Sequence, residues 1–350
     1  MARALELAAL GLYTTDPNPR VGCVVANADG VLGEGWHARA GEPHAEVLAL
    51  RIAGARARGA SVYVTLEPCS HTGRTPPCAD AVIAAGVARV VCCTRDPNPK
   101  VAGAGIERLL QAGIAVEVGL FADEARRLNA GFFSRFERGR PYVRLKLAMS
   151  LDGRTAPATG SPVWISGEAS RADVQTWRAR SSAVLTGAGT VRTDDPRLNV
   201  RLNYGPWVRQ PLRVVLDTML TSPRGAKIFD NGEALVFAAP EAPLGSFKDL
   251  RVERIPRAGG GLDLDAVMQN LTAREVSELL LECGSTLAGA FIAKQLVDEL
   301  VLYIAPKLLG CDAAPLMRIQ PGIPALPAFE FCDMQPMGED VRLILKLKKS

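Results

Sequence analysis

The sequence has little of the features that direct a chain to nucleic acid, to a membrane or out of the cell. Aromatic residues make up 5% of the 350 residues and the formal net charge is only +4. Neither the stacking surface nor the strongly basic patch of a nucleic-acid-binding protein is therefore indicated. No apolar run approaches the roughly 18 residues that cross a bilayer, and the first residues do not resemble a signal peptide. We expect a cytoplasmic protein with neither a nucleic-acid nor a membrane partner.

Histidine is also scarce, with three in the chain, whereas there are eight cysteines. A secreted chain could pair those cysteines, but Cys23, Cys92 and Cys93 lie in apolar, strand-like runs, where a free cysteine behaves as a small hydrophobic residue. This placement favours a reducing compartment. It leaves Cys69 and Cys78 as the cysteines that carry chemistry.

The length and the composition indicate two globular domains. Apolar residues make up 48% and charged residues 22% of the chain, which is long for a single core. Helix-like and strand-like segments alternate over the first part of the chain, which predicts a three-layer α/β domain. The polar break at 138–141, which holds Gly and Pro, is the predicted boundary, because the alternation restarts at Tyr142. We therefore predict two α/β domains, over residues 1–139 and 140–350.

The sequence also predicts four local features outside the regular alternation of helices and strands. A single long helix is predicted from about residue 123. Residues 241–262 are rich in Pro, Gly and charge, which predicts a loose surface connection, with 259–261 as linker. The sequence Gly103-Ala104-Gly105 lacks the third glycine and the preceding strand of a dinucleotide-binding fingerprint, so it is interpreted as a turn.

One constellation in the first domain carries metal chemistry. His44 and Glu46 stand at the predicted start of a helix, Cys69 follows a predicted strand, and Cys78 opens the next helix. One imidazole and two thiolates can bind zinc while a fourth position stays open for water, and a glutamate that is not a ligand can transfer protons. Zinc deaminases carry His-x-Glu followed by Pro-Cys-x-x-Cys, but eight residues, Ser70–Pro77, separate the cysteines here. The pattern predicts a zinc-dependent deaminase of a pyrimidine-type amine.

The motifs in this part of the chain resemble those of a known family. The segments 17–24, 43–46 and 66–78 resemble the bifunctional riboflavin-biosynthesis deaminase/reductase family, in which the long loop between the cysteines is a hallmark. The resemblance covers nearly the whole chain. It implies a cytidine-deaminase-like three-layer α/β/α domain followed by a dihydrofolate-reductase-like α/β domain. The implied reactions are zinc-dependent deamination of a diaminopyrimidinone that carries phosphoribosylamine, and NADPH-dependent reduction of its ribosyl group to ribityl.

The resemblance also implies roles for residues of the first domain. His44, Cys69 and Cys78 would bind one zinc ion, and Glu46 would transfer protons. Four residues are expected to contact the phosphorylated pyrimidine: Asn18, His71, Arg74 and Asn98. For the two asparagines the alternative is turn chemistry, which Asn and Pro favour in any protein. His37 is interpreted as a structural residue.

In the second domain the resemblance implies both cofactor and substrate contacts. The residues expected to contact NADPH are Ala148, Trp164, Thr190, Asp194, Gly284, Ser285, Thr286, Leu287, Ala288, Gly289 and Ala290. Those expected to contact substrate are Lys146, Arg178, Leu198, Arg201 and Glu282. The two arginines suit a phosphate by charge and forked geometry. Small residues that open a helix after a strand can also present backbone N–H groups to a phosphate.

Three other functions are consistent with parts of the pattern. The chain could be a monofunctional deaminase with a non-catalytic C-terminal half, although Lys146, Asp194 and Glu282 argue against this. A nucleic-acid base deaminase would need a basic or aromatic surface. A non-catalytic zinc module would need a fourth protein ligand. For the bifunctional enzyme we expect a homo-oligomer.

Overall fold

The chain divides into two compact units. The computed structural model describes residues 1–71, 76–158, 164–205, 208–319 and 328–348. The first unit comprises Met1–Gly139 and Gly205–Arg209, and the second comprises Arg140–Tyr204 and Gln210–Ser350. Among the described residues, none of the helices has both the length and the apolar character that spanning a membrane requires.

The first unit is built on one five-stranded sheet. Its strands are β1 (Gly22–Asn27), β2 (Gly30–Trp36), β3 (Ser61–Val64), β4 (Arg89–Cys92) and β5 (Ala115–Val118). Its helices are α1 (Ala2–Ala9), α2 (Ala45–Ala53), α3 (Cys78–Ala84), α4 (Ala104–Gln111), α5 (Ala122–Leu128) and α6 (Ala130–Arg138). The strand order is β2-β1-β3-β4-β5. Strand β1 is antiparallel to both of its neighbours, and β3, β4 and β5 are parallel.

Helices cover both faces of this sheet. Along β1, Cys23 and Val25 pack into the core formed with α2, α3 and α4, whereas Val24 packs against α1 on the other face. Successive side chains of a strand point to opposite faces, so this alternation requires a helix layer on each side. The predicted three-layer arrangement is confirmed.

Glycines bring β2 unusually close to α2. A Cβ atom added at Gly33 would lie 2.2 Å from the carbonyl oxygen of Ala49, and one at Gly35 would lie 2.4 Å from that of Ala45. A side chain at either position would therefore push the helix away from the strand. The close contact fixes the amino-terminal end of α2, where His44 is the N-cap and Glu46 lies in the first turn.

Two local predictions in this unit are wrong. The helix expected from about residue 123 is two helices, because Asn129 interrupts it and uses its side chain to bind the backbone of Arg20, with Oδ1 accepting at 2.7 Å and Nδ2 donating at 2.9 Å. The segment interpreted as a turn contains the start of α4. Gly103, at φ 94°, is the N-cap of α4, and Gly105 lies within its first turn.

The second unit is built on a nine-stranded sheet. Its strands are β6 (Tyr142–Ser150), β7 (Arg154–Ala156), β8 (Ala183–Gly187), β9 (Leu212–Leu216), β10 (Ala234–Ala238), β11 (Arg251–Arg254), β12 (Arg257–Ala258), β13 (Gly261–Leu262), β14 (Glu278–Glu282), β15 (Glu299–Ala305), β16 (Ala314–Pro315), β17 (Phe329–Met337) and β18 (Asp340–Leu347). Its helices are α7 (Glu168–Arg180), α8 (Ala188–Asp194), α9 (Leu264–Ala273) and α10 (Ser285–Ala293). The large sheet has the order β11-β10-β9-β8-β14-β6-β15-β18-β17, and β12–β13 and β16–β7 form small ribbons.

The seven strands from β11 to β15 in this order run parallel, so their carboxyl ends lie at one edge of the sheet. Strand β18 is antiparallel to β15, and β17 is antiparallel to β18. In open parallel sheets, ligands bind outside the carboxyl ends of the strands. The parallel edge is therefore where a site is expected in this unit.

The prediction of a loose connection over residues 241–262 is wrong. This segment contributes β11, which pairs in parallel with β10, and it buries Phe247, Leu250 and Ile255. Its glycines 259–261 join β12 to β13 instead of forming a linker. The Pro, Gly and charged residues obscured apolar residues that are spaced too irregularly to indicate a strand.

Candidate active sites

Three potential metal ligands meet at one place in the first unit. His44 is the N-cap of α2, Cys69 lies beyond the end of β3, and Cys78 is the first residue of α3. The Nδ1 atom of His44 lies 3.0 Å from Sγ of Cys78 and 3.6 Å from Sγ of Cys69. All three ligand atoms lie within 4.8 Å of one another. Among the residues that the structure describes, no other His, Cys, Asp or Glu joins this group. One imidazole and two thiols suit a zinc ion that keeps one coordination position open.

Hydrogen bonds within the cluster favour ionisation of one thiol. The hydrogen bond with the thiol of Cys78 is the main cause that lowers the pKa of Cys69 to about 4, and His44 and the backbone N–H of Cys78, which donates to Sγ of Cys69 at 3.3 Å, act in the same direction. The same interaction and burial raise the pKa of Cys78. In turn, the hydrogen bond with Cys69 raises the pKa of His44. Thiolates, not thiols, are the metal-binding form, so the cluster is electrostatically suited to a cation.

Glu46 lies in the first turn of α2, beside this cluster. Its side chain is only 3% exposed, and burial raises its pKa to about 7. The carboxyl group interacts with the thiol of Cys78. A carboxyl group with a pKa near neutrality can both accept and release a proton at physiological pH.

His37 and Asn18 form a second layer next to His44. The ring of His37 is buried, lies edge-on to that of His44 at 5.1 Å, and has its Nδ1 3.3 Å from the carbonyl oxygen of Pro43. The amide Nδ2 of Asn18 lies 3.0 Å from Nε2 of His37. Burial lowers the pKa of His37 to about 4, so the ring is neutral at physiological pH and can accept from Asn18. Asn18 therefore lies beside the cluster, held by a histidine interpreted from the sequence as structural.

The segment after β4 lies beside the segment that carries Cys69, since the N–H of Glu67 donates to the carbonyl oxygen of Thr94 at 3.0 Å. Asp96 is 9% exposed and burial raises its pKa to about 7. Asn98 takes part in turn contacts: its N–H donates to Oδ1 of Asp96 at 2.8 Å, and its Oδ1 accepts from the N–H of Lys100 at 3.1 Å. His71 is exposed, and Arg74 lies outside the described residues. The sequence reasoning missed Asp96, although an Asp-Pro-Asn-Pro sequence directly after a buried strand could have indicated it.

Sequence reasoning also assigned no role to Glu67, which precedes Cys69 by two residues. Its side chain is 3% exposed and accepts four backbone N–H groups from one later segment of the chain. Oε2 accepts from Asp96 and Gly103 at 3.1 and 3.0 Å, and Oε1 accepts from Gly105 and Ile106 at 3.0 and 3.1 Å. A charged residue between a strand and Pro-Cys was the available signal.

A charged cluster occupies the parallel edge of the large sheet in the second unit. Lys146 on β6 is paired in register with Glu282 on β14. Arg178, on α7, donates from Nε and Nη2 to the two carboxylate oxygens of Glu282 at 2.6 and 2.8 Å. Burial lowers the pKa of Lys146, partly offset by the charge of Glu282. The structure thus brings together three of the residues predicted to contact substrate.

Two further predicted substrate residues lie after α8. Leu198 is 2% exposed and has a φ of 51°, in the left-handed region. Arg201 is exposed, and its backbone N–H donates to Oε1 of Gln175 at 3.0 Å. Its guanidinium group, unlike that of Arg178, is therefore accessible to a phosphate in solution.

The predicted cofactor residues that follow two neighbouring strands also converge. Strands β8 and β14 are adjacent, and each is followed directly by a helix, α8 and α10 respectively. Thr190 on α8 has its Oγ1 3.8 Å from the position of a Cβ on Gly284, the N-cap of α10. Asp194 is the last residue of α8, and burial raises its pKa while the charge of Lys146 opposes that rise.

Within the predicted run 284–290, side chains and backbone have different surroundings. Ala288 is fully buried, and a Cβ added at Gly289 would lie 2.0 Å from the carbonyl oxygen of Arg318. Gly289 is therefore required by packing within the protein. The backbone N–H groups of Ser285 to Leu287, in the first turn of a helix, have no intrahelical partner and are the donors that an anion would use.

Ala148 and Trp164 complete the predicted cofactor set. Ala148 packs on the same side of the sheet as Leu280 and Tyr303. Trp164 is 72% exposed, and the guanidinium carbon of Arg171 lies 5.0 Å from the centre of its ring. Nζ of Lys307 donates to the carbonyl oxygens of Trp164 and Ile165 at 3.2 and 2.8 Å, which fixes the backbone that presents this ring.

Comparison with known proteins places both halves of the chain in one family. Residues 1–94 match the cytidine and deoxycytidylate deaminase zinc-binding region, and residues 141–343 match the RibD C-terminal domain. The riboflavin biosynthesis protein RibD of Escherichia coli is 49% identical, and the match covers 99% of this chain and 98% of that protein. The chain belongs to the RibD family. The RibD protein of Haemophilus influenzae is 45% identical over 98% of this chain and 95% of its own length.

Solved structures of the RibD family share this fold over its full length. The RibD structure from Acinetobacter baumannii has a TM-score of 0.92 and 45% identity, and the match covers 99% of this chain and 98% of that one. A Thermotoga maritima structure has a TM-score of 0.87 and 33% identity over 99% and 97% of the two chains. That protein is described as a diaminohydroxyphosphoribosylaminopyrimidine deaminase/5-amino-6-(5-phosphoribosylamino)uracil reductase.

Membership of the RibD family decides between the functions left open by the sequence. The chain is an enzyme of riboflavin biosynthesis that joins a deaminase to a reductase, and its cofactors are zinc and NADPH. The predicted cytidine-deaminase-like and dihydrofolate-reductase-like folds are confirmed. The monofunctional alternative is not favoured, because the match to the reductase family covers most of the second half of the chain.

Proposed function

We propose that the chain performs two consecutive steps on one pyrimidine, with residues 1–139 as the deaminase domain and 140–350 as the reductase domain. The first step replaces a ring amine of 2,5-diamino-6-(5-phosphoribosylamino)pyrimidin-4-one with a carbonyl oxygen from water and releases ammonia. The second reduces the ribosyl group to a ribityl chain. The observation that carries the proposal is the meeting of one histidine, two cysteines and a buried glutamate at a single site.

The deaminase site fits a zinc ion held by His44, Cys69 and Cys78. Their ligand atoms lie within 4.8 Å of one another, and two of the three are thiols, which zinc favours. These residues would hold the ion, which would supply a water molecule whose pKa is lowered toward neutrality. With three protein ligands, the fourth position of a tetrahedral site would be open to that water.

Glu46 is the proton-transfer residue of this step. Its carboxylate takes a proton from the attacking water and delivers it to the departing amine nitrogen, which then leaves as neutral ammonia. Burial keeps the pKa of Glu46 near 7, so neither transfer is strongly uphill. The side chain is held in place because it lies in the first turn of α2, fixed against β2.

Asn18, His71, Arg74 and Asn98 are the proposed substrate contacts of the deaminase. Asn18 lies beside the metal ligands through its hydrogen bond with His37. Asn98 follows β4, whose carboxyl end neighbours that of β3. Arg74 belongs to the loop between the two cysteines, and its charge suits the substrate phosphate.

In the reductase domain, Lys146, Arg178, Leu198, Arg201 and Glu282 are the proposed substrate contacts. Arg178 orients the Glu282 carboxylate through two hydrogen bonds, and Lys146 lies directly across from Glu282. Arg201 is exposed and is the better placed of the two arginines to meet a phosphate.

NADPH would be held by Ala148, Trp164, Thr190, Asp194 and residues 284–290. The backbone N–H groups that open α10 suit a phosphate of the cofactor, and the exposed Trp164 ring offers a flat apolar surface. NADPH supplies the hydride of the second step. Ala288 and Gly289 pack within the protein. They would therefore hold the phosphate-binding turn in place.

The proposal is tested by mass spectrometry of the products formed from the phosphoribosyl diaminopyrimidinone. Without NADPH the product should have an amine replaced by an oxygen, and adding NADPH should add two hydrogens. Substrate of unchanged mass in the zinc-loaded protein would contradict the deaminase assignment. A product that gains no hydrogens with NADPH would contradict the reductase assignment alone.

We also propose that the enzyme works in the cytoplasm and as a homo-oligomer. All eight cysteines are free thiols, as a reducing compartment would leave them. Size-exclusion chromatography with light scattering measures the oligomeric state, and a monomer at micromolar concentration would contradict the second part.

A further inference from the structure

We infer that Glu67 is a positioning residue of the deaminase site, holding the segment Asp96–Ile106 against the segment that carries Cys69. This inference rests on the proposed deaminase function. Glu67 itself is neither a zinc ligand nor a substrate contact in that proposal. It acts through the backbone of the residues that it holds.

The geometry of Glu67 is that of a buried clamp. Its two carboxylate oxygens accept four backbone N–H groups at 3.0 to 3.1 Å, two on each oxygen. The donors belong to two places 7 to 10 positions apart in sequence, Asp96 at one and Gly103, Gly105 and Ile106 at the other. One side chain therefore fixes both ends of the segment. Glu67 is 3% exposed, so its carboxylate is buried and depends on these four hydrogen bonds in place of water.

Both ends of the clamped segment matter for the site. Its first end carries Asp96, and Asn98 follows it with its N–H on Oδ1 of Asp96. The N–H of Asp96 donates to Glu67, which stands two residues before the proposed zinc ligand Cys69. The backbone of Glu67 also pairs with that of Thr94 at 3.0 Å, so the clamp extends the contact between the ends of β3 and β4.

The second end presses against the backbone next to Cys69. A Cβ atom added at Gly105 would lie 1.9 Å from the carbonyl oxygen of Pro68 and 3.2 Å from Oε1 of Glu67. Only glycine permits this approach. The sequence Glu67-Pro68-Cys69 is thus fixed from two sides, by the hydrogen bonds of Glu67 and by the contact of Gly105 with Pro68.

The variant Glu67→Gln tests the clamp because it keeps the shape and changes the acceptors. A glutamine has one acceptor oxygen, and its NH₂ group would face two of the four N–H donors. We expect zinc to stay bound, KM for the pyrimidine to rise roughly tenfold, and kcat to fall by less, since buried hydrogen bonds to a charged group are strong enough for an effect of that size. Hydrogen–deuterium exchange should become faster at residues 96–106.

Two controls make the result specific. Glu107→Gln changes an exposed glutamate in the first turn of α4, next to Gly105 and Ile106. It should leave KM and hydrogen–deuterium exchange unchanged. NADPH oxidation with the deaminated substrate reports on the other domain and should be unchanged in Glu67→Gln. If the wild-type protein itself released no ammonia, the proposed function would fail, which is a different result from unequal behaviour of the variants.

A KM within twofold of wild type, in folded and zinc-loaded Glu67→Gln, would overturn the inference. Hydrogen–deuterium exchange that becomes faster throughout the deaminase domain, and not specifically at residues 96–106, would also overturn it. If Glu67→Gln does not fold, Gly105→Ala decides the matter, because it keeps the carboxylate and displaces α4 from Pro68. The same rise in KM and the same local exchange would support the clamp. Unchanged KM and exchange in Gly105→Ala would overturn it.

Discussion

At the scale of single residues, two buried glutamates show how surroundings set a role. Burial alone dominates at Glu46 and raises its pKa to about 7. Burial also disfavours the charged form of Glu282, but the charges of Arg178 and Lys146 outweigh it and lower the pKa of that carboxyl group. Glu46 can therefore exchange a proton during turnover, whereas Glu282 stays ionised and can hold a polar group of the substrate.

Replacing the carboxyl group of Glu46 should remove proton transfer and leave the metal in place. We expect Glu46→Gln to keep one zinc per chain and to lose ammonia release by about 10²–10⁴-fold, the usual contribution of a positioned acid–base group. Ammonia release in a coupled assay, with zinc measured on the same sample, checks this. The exposed Glu42 serves as a control, and a Glu46→Gln protein as active as Glu42→Gln would remove Glu46 from the mechanism.

Removing one thiol should abolish stable zinc binding. Cys69→Ser replaces a thiolate that accepts a backbone N–H from Cys78 with a hydroxyl that does not ionise at neutral pH. We expect the purified variant to contain little zinc, as measured by elemental analysis. Cys332→Ser changes an exposed cysteine of the other unit and should retain the metal. Equal zinc in the two variants would show that Cys69 is not a ligand.

At the scale of helices and strands, much of the architecture could be predicted because local patterns were strong. The alternation predicted to restart at Tyr142 is confirmed, because β6 begins at that residue. Helices and strands whose sequence pattern is weak were not predicted. Sequence analysis gave no helix at α9, although Asp263 caps it by accepting from the N–H of Asp265. Strand β17 was also missed, because it is an edge strand with little burial to mark it.

The two sites differ in how far sequence could reveal them. His44, Glu46 and the two cysteines lie in short motifs with recognisable chemistry, so their meeting could be expected. Glu67 could be noticed as a charged residue between a strand and Pro-Cys, but its partners could not be predicted. They are backbone N–H groups that follow a different strand, and backbone groups carry no residue-specific signal. The pairing of Lys146 with Glu282 likewise depends on the register of two strands far apart in sequence.

The glycine contact between β2 and α2 should be sensitive to a single methyl group. Gly33→Ala places a Cβ 2.2 Å from the carbonyl oxygen of Ala49, so helix and strand must separate. We expect a loss of about 1–3 kcal/mol in the free energy of unfolding, measured by urea denaturation of the zinc-loaded protein. Gly260→Ala, where a Cβ meets open space, should change it little. Equal stability of the two variants would show that the contact relaxes without cost.

At the scale of the whole molecule, each unit contains its own chemistry. The proposed metal ligands and Glu46 all belong to the unit with Met1–Gly139, and Lys146, Arg178 and Glu282 all belong to the unit with Arg140–Tyr204 and Gln210–Ser350. The matches to the deaminase and reductase families also fall on separate stretches, 1–94 and 141–343. The two activities should therefore be separable by point substitution.

Glu282→Gln should cripple NADPH oxidation with the deaminated substrate and leave ammonia release intact, because the neutral amide cannot replace the charge opposite Lys146 and Arg178. Glu46→Gln should do the reverse. Both rates are measured on the same zinc-loaded preparations. Loss of both activities in folded Glu282→Gln would contradict two independent sites and point to a single composite one.

The strand order of the large sheet has a consequence for biosynthesis. Strand β6 carries Lys146 at the middle of the sheet, but its two neighbours, β14 and β15, come much later in the chain. Arg144 of β6, for example, is bonded to Glu278, 134 residues further on. At translation rates of about 5–20 residues per second, β6 waits on the order of ten seconds for the first strand it pairs with. During this interval the backbone N–H and C=O groups of β6 lack their native partners, so the nascent chain is open to mispairing and to chaperone binding.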